Sequence, residues 1–542
     1  MGRGLRNDCR RGSELLRLKK ILNPRRDAPL PLETIFPLIF VALYVSHYTL
    51  LRLPYYWDEA GYYIPAAWDF FRTGSLIPSS TLTNAHPPLP SVYLALWWKL
   101  FGFAPVVTRS AVLLVAALAL LAVWRLAMRL VGNTSVAFWT VLLTGLYPIW
   151  FAQSTLAHAD IFAAACSLWG LVYALPGRER KPWAAALCFA AAALSKETAI
   201  AIPLTLAAID VVESLRGDRA ERASLWREAA WLLSCVLPLA GWYAYHRAKT
   251  GFLFGNPEFL RYNAQATLEP LRILAAFGHR LLHLTAHMNL FVPVLMGCAA
   301  LLLDPRRDRG HERAGIDAPV MRRIFLLLLA NALLFSVLGG ALLTRYLLPM
   351  YPLVLLVAIT SLYRRVPYWR GLALLSAAAF LAGLFINPPY GFAPEDNLTY
   401  ARMIRMQQAG IAQLNKLDPG ATVLTAWPVS DALRRPELGY VKQPWEVYAL
   451  DDFTVPQIAR AAQQPEAYSV ALVFSTKYDP PLPWLRLTGE SFDERYFGLH
   501  HDLQPERIAR ELDGTLVWRQ NEAGMWVALI RFDRQVEARL ER

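Results

Sequence analysis

With 542 residues, 55% of them hydrophobic and 18% charged, and a mean hydropathy of +0.28, the chain is too apolar for a soluble enzyme of its length. Its 55 Lys and Arg against 42 Asp and Glu leave a net charge of +13. The basic residues fall in short clusters between apolar runs, which excludes a nucleic-acid footprint and is the positive-inside pattern of a membrane protein.

The N-terminal stretch 1–33 is a basic cytoplasmic tail carrying Arg10, Arg11, Lys19, Lys20, Arg25 and Arg26. Apolar runs then recur from residue 35 to residue 387, each near the length that crosses a hydrocarbon core of roughly 30 Å. The first, 34–53, lacks a small-residue cleavage site and reads as a retained span rather than a signal peptide. Later basic clusters, among them Arg125/Arg129, Arg178/Arg180/Lys181, Arg216–Arg227, Arg306–Arg323 and Arg364–Arg370, mark the cytoplasmic side and pair the spans between them. The loop 54–105 must then lie outside, so Pro87–Phe103 is an interfacial or re-entrant helix, with Trp97 and Trp98 at headgroup depth. The remaining spans are 106–131, 133–152, 155–175, 182–195, 197–213, 228–246, 283–303, 323–343, 345–362 and 371–387, with a second outer loop at 247–282. Counting the first, about eleven crossings place the tail outside. The expected fold is therefore a mainly α polytopic membrane domain, 34–388, followed by a small outer-face α/β domain, 389–542. That domain shows a helix over Asn397–Leu417, strands at Ala421–Thr425 and Val470–Ser475, and a hairpin of Leu516–Trp518 with Met525–Ile530 turning at Glu522–Gly524. Five scattered cysteines (Cys9, Cys166, Cys188, Cys235 and Cys298) suit neither a disulfide framework nor a zinc site.

The residues able to carry chemistry lie at the outer ends of these spans. Asp58 and Glu59 follow the first span, and two carboxylates are costly to hold near lipid unless they have a function. Either could serve as a general base toward an acceptor hydroxyl or amine; the alternative is an N-cap in which Asp58 accepts backbone N–H bonds. A third acid, Asp160, opens the span 155–175 on the same side. Lys196, Arg261 and Arg345 stand on the outer face, where the positive-inside rule disfavours them. Together they suit a phosphate or pyrophosphate, Arg as a bidentate fork and Lys as a point charge, although any one alone could snorkel. Tyr62, His86 and Tyr346 adjoin these charges and are the candidates for substrate contact. His279, His283 and His287 share one helix face at a spacing that can bind a metal, but no His-Glu-x-x-His pattern accompanies them. They are read as a polar stripe facing the cavity, and no metal ligands are assigned.

Trp57-Asp58-Glu59, His86-Pro87-Pro88-Leu89, Ala157-His158-Ala159-Asp160, Leu194-Ser195-Lys196-Glu197 and Thr344-Arg345-Tyr346, in this order, resemble the GT-C superfamily of lipid-carrier-dependent glycosyltransferases. The likeness is to the branch of the protein O-mannosyltransferases and the lipid A aminoarabinose transferase, over roughly residues 30 to 390. It implies transfer of a hexosyl or pentosyl group, with inversion, from a polyprenyl phosphate to a protein, lipid A or glycan acceptor at the outer face of a bacterial inner membrane. Asp58 would be the acid/base position and Asp160 the second acidic position, with Lys196 and Arg345 on the donor phosphate. No cofactor is certain, and a divalent metal ion stays open. Two positions depart from the aminoarabinose branch: Gly61 and His86 stand where that branch has basic residues. The competing class is a transporter or flippase for a lipid-linked sugar, which would place ionisable residues near the midplane in broken helices rather than at span ends.

Overall fold

The computed structural model describes residues 31–176, 180–216, 218–265, 267–308 and 310–532. The basic tail with Cys9, and Arg178 and Arg309 of the inner clusters, lie outside the described residues. Among the described residues, three helices are long and apolar enough to cross a membrane: Leu32–Leu50, Pro105–Val131 and Ala318–Val337. A fourth span arises if the pair Pro270–Asn289 and Phe291–Ala300, bent by 101°, counts as one. Other apolar runs form shorter helices, including Thr134–Leu146, Ala159–Ala174, Pro182–Ser195 and Trp369–Phe385.

The runs are shorter than their hydropathy suggests because local chemistry interrupts them. Pro148 divides 133–152 into Thr134–Leu146 and Pro148–Gln153, since the residue before a proline is pushed out of the helical region and Tyr147 sits at ψ 124°. The run 283–303 breaks at Met288 and Asn289, both at positive φ. The helix Pro270–Thr285, just before this break, occupies the last third of the stretch 247–282 expected to be a loop.

Pro105–Val131 is the central pillar. Ala111, Val112, Leu113, Ala116, Ala117, Ala122 and Ala127 are buried around its whole circumference, as expected of a helix that is apolar on every side. It packs against Leu32–His47, Thr134–Leu146 and Ala159–Ala174. The helix Leu89–Phe101 lies against it and against Ile64–Thr73. Trp98 is 1% exposed and donates its indole N–H to Thr108 at 2.9 Å, so this side of the short helix packs onto the pillar.

The C-terminal domain is built on a five-stranded sheet, with β1 Val423–Ala426, β2 Val447–Leu450, β3 Val470–Phe474, β4 Thr515–Glu522 and β5 Met525–Arg531, in the order β2-β1-β3-β5-β4. β1 runs parallel to β2 and β3, and β5 antiparallel to β3 and β4. The helix Thr399–Leu417 covers β5 with an apolar stripe that includes Met403, Ile404, Ile411 and Leu414. This domain docks on the loop 54–105: Tyr55 donates its N–H to Leu438 O at 3.2 Å, Arg435 donates to Ser80 O at 2.5 Å, and Trp427 meets Trp57 edge to face at 5.1 Å.

Candidate active site

After the first helix the chain turns through Trp57, held at φ +49°, a conformation that costs a non-glycine residue about 1–2 kcal/mol. A π-helical turn, Glu59–Tyr63, follows and runs into Ile64–Thr73. Such widened turns recur at functional sites because they shift successive side chains off the usual helical register. Asp58 and Glu59, at its start, have different partners.

Glu59 is fully buried. Its carboxylate accepts N–H bonds from Tyr56 at 3.0 Å and Ala157 at 2.7 Å, and pairs with Arg109 at 3.2 Å. Arg109, equally buried, also donates to the carbonyls of Leu53, Pro54 and Thr155. This closed network ties the first outer loop to the central pillar and to the turn before Asp160. The structure thus separates Glu59 from the open site in which it was expected to act.

Asp58 faces the other way. It makes no side-chain capping bond to its own turn, so the N-cap alternative is not what the fold uses. Its Oδ2 pairs instead with an Arg345 guanidinium nitrogen. Arg345 sits on the 3-10 turn Thr344–Leu347 and is 3% exposed. A second guanidinium nitrogen pairs with Glu395, and its Nε lies 3.4 Å from Asp160 Oδ2. Asp160 stands in the first turn of Ala159–Ala174, and its other oxygen pairs with Lys196 Nζ at 2.5 Å. Lys196 in turn lies 4.0 Å over the Tyr346 ring, a cation–π contact that fixes the ammonium. Asp160, Lys196, Arg345 and Tyr346 line one narrow cleft with Asn331 and Phe335. Thus Asp58, Asp160, Lys196 and Arg345, from four separate segments, converge on one charged cluster.

The remaining expected contacts divide. His86 Nδ1 lies 3.2 Å from Glu197 Oε2, with its ring stacked on Tyr63 and edge to face with Tyr62. Tyr62 and His86 therefore form a polar-aromatic wall that reaches the cluster through Glu197, the neighbour of Lys196. Arg261, by contrast, opens the exposed turn Arg261–Gln265 and makes no ion pair with this cluster among the described residues. The turn packs elsewhere: Asn263 O accepts from Gly339 N–H at 2.9 Å. The three histidines run in a row instead of converging. His279 approaches Thr488 at 3.4 Å, while His287 bonds Asp396 at 2.9 Å.

Sequence reasoning missed Arg109, Glu395 and Asp396. Arg109 is one more cation at an outer span end and belonged to the same signal as Lys196. Glu395-Asp396 is a second adjacent acid pair, beyond the last apolar run. Glu395 holds Arg345, and Asp396 accepts from Thr344 and from His287.

Residues 85–242 match the family model described as dolichyl-phosphate-mannose-protein mannosyltransferase. ArnT from Cupriavidus metallidurans in the apo state is 16% identical, with 92% of this chain and 98% of that one covered and a TM-score of 0.51. The same protein bound to undecaprenyl phosphate is 15% identical, with 92% and 97% covered and a TM-score of 0.52. The archaeal oligosaccharyltransferase AglB from Archaeoglobus fulgidus, in complex with an inhibitory peptide and a dolichol-phosphate, stands further off, at 11% identity, 81% and 69% coverage and a TM-score of 0.42. No curated protein matches the chain. The fold is similar to that of ArnT, and the family model, over residues 85–242, supports the resemblance to the protein mannosyltransferase branch.

Proposed function

We propose that this protein is a membrane glycosyltransferase that moves a sugar from a polyprenyl phosphate to an acceptor at the outer face of a bacterial inner membrane, by inverting displacement with Asp58 as base. The observation that carries the reading is the convergence of Asp58, Asp160, Lys196 and Arg345 at the outer ends of their helices. Arg345 and Lys196 supply the donors and positive charge that a phosphate requires. Asp160 positions both of them.

In the reaction the acceptor oxygen or nitrogen forms a bond to the anomeric carbon. The bond from that carbon to the phosphate oxygen breaks, its electron pair passing to the phosphate, while the acceptor proton goes to Asp58. The leaving phosphate needs no proton because the two cations meet its growing charge. In-line geometry puts base and phosphate on opposite sides of the sugar, and positioning of this kind supplies much of the rate. Protein, lipid A and glycan acceptors all offer the nucleophile this chemistry needs.

The test is transfer by purified protein in nanodiscs from labelled sugar-phosphate polyprenols to peptide, lipid A and glycan acceptors. Formation of a product of inverted configuration is expected. Movement of the intact labelled lipid between leaflets, with no transfer to any acceptor, would replace the enzyme by a flippase.

A further inference from the structure

Arg345 is oversubscribed. Its guanidinium and Nε face three carboxylates, Asp58, Glu395 and Asp160, and among the described residues the other cation paired with this group is Lys196. Three negative charges thus meet two positive ones before any donor arrives. On the reading given under Proposed function, a phosphate must also be received here, and a fork whose nitrogens are already engaged can receive it only if one carboxylate yields.

Exposure decides which one. The Asp58 side chain is 36% exposed, against 6% for Glu395 and 2% for Asp160. Released from Arg345, Asp58 exchanges an ion pair for water. Glu395 or Asp160 released in the same way would be left as an unpaired buried charge, a far costlier state. Glu395 is further restrained by its neighbour: Asp396 accepts from Thr344, which precedes Arg345, and from His287 Nε2 at 2.9 Å, and Tyr390 donates to His287 Nδ1 at 3.2 Å. Two adjacent acids therefore strap two adjacent residues, Thr344 and Arg345.

We infer that donor phosphate takes the place of Asp58 on Arg345 while Glu395, a positioning residue from the segment after the last span, keeps the guanidinium where the phosphate will meet it. The exchange couples the two substrates. While Asp58 Oδ2 is engaged by Arg345 that oxygen is held away from an acceptor, so the carboxylate is fully released as a base only when the donor is seated. Donor binding precedes productive acceptor binding.

The experiment measures undecaprenyl phosphate binding to the full chain in nanodiscs for wild type, Asp58→Asn and Glu395→Gln. Asp58→Asn removes the competitor and should tighten binding roughly tenfold; Glu395→Gln removes the anchor and should weaken it by a similar factor. General charge repulsion predicts tighter binding in both variants, and that outcome overturns the inference, as does unchanged affinity in Asp58→Asn. Should Glu395→Gln not fold, Thr344→Val, which loosens the same strap, must weaken binding for the inference to stand. Absence of binding by wild type would instead refute the underlying functional reading.

Discussion

Trp427 of the C-terminal domain lies directly over Gly61 of the first outer loop: a Cβ at residue 61 would stand 2.7 Å from the indole Cζ2. No side chain fits there without displacing the ring. Gly61→Ala should therefore lift the domain from the loop and destabilise the protein by about 1–3 kcal/mol, the usual cost of overpacking. Trp427→Ala in the same chain should restore most of that loss. A double-mutant cycle on thermal unfolding measures the coupling, and additive effects would show that the two residues do not compete for one space.

Glu59 and Asp58, adjacent in sequence, should separate in experiment. Glu59→Gln leaves the buried Arg109 guanidinium without its counter-charge, so stability should fall by about 3–5 kcal/mol. Asp58→Asn should unfold near wild type. Denaturation in detergent of the two variants side by side checks this.

Asp58→Asn keeps the shape of the side chain but cannot accept a proton. Sugar transfer should drop by roughly the 10²–10⁴-fold typical of general-base loss, without any weakening of donor binding. Equal transfer by variant and wild type would end the catalytic role of this residue.

On the proposed reading Arg345 and Lys196 meet the donor phosphate once Asp58 has left the guanidinium, with no metal ion required. Transfer should accordingly be unchanged by EDTA. A loss of activity restored by a divalent ion would assign part of the phosphate charge to a metal.

Orientation can be read by labelling. In a cysteine-free background, cysteines at Leu82 and Gly391, both exposed, should react with an impermeant maleimide in intact cells. A cysteine at Gly310, exposed in the basic segment between two apolar helices, should react only after permeabilisation. Outside labelling at Gly310 would invert the topology and place Asp58 in the cytoplasm.

Much of the charged cluster was legible because each member breaks a rule on its own: a carboxylate or a cation at the outer end of an apolar run needs a reason to be there. Asp58, Asp160, Lys196 and Arg345 were found by that signal and meet in the fold. What separates Asp58 from Glu59 was not legible, since both share the same one-dimensional context. In the fold, at the start of the π-turn, one pairs with Arg345 and the other with Arg109. Arg261 carried the same signal as Lys196 yet stands on an exposed turn, because a positive-inside violation marks a residue but not the direction of its side chain. Glu395 escaped notice because it lies beyond the last apolar run, where an acid is unremarkable until the chain folds back. The helix breaks at Tyr147 and Met288 mark a different limit: hydropathy measures how apolar a run is and says nothing of its backbone angles. Strand β2 was missed because Val447–Leu450 is short and flanked by polar residues on both sides.

The strap between Glu395 and Arg345 also bears on how the protein is made. Its two ends are separated by the helices Tyr351–Arg365 and Trp369–Phe385, so synthesis and insertion of both must be complete before residue 395 can meet residue 345. Until then a nascent chain carries Arg345 with one counter-ion missing, and Thr344 without Asp396. Assembly of the reactive centre must therefore wait for both helices, and a product truncated before Pro394 lacks the strap on Arg345.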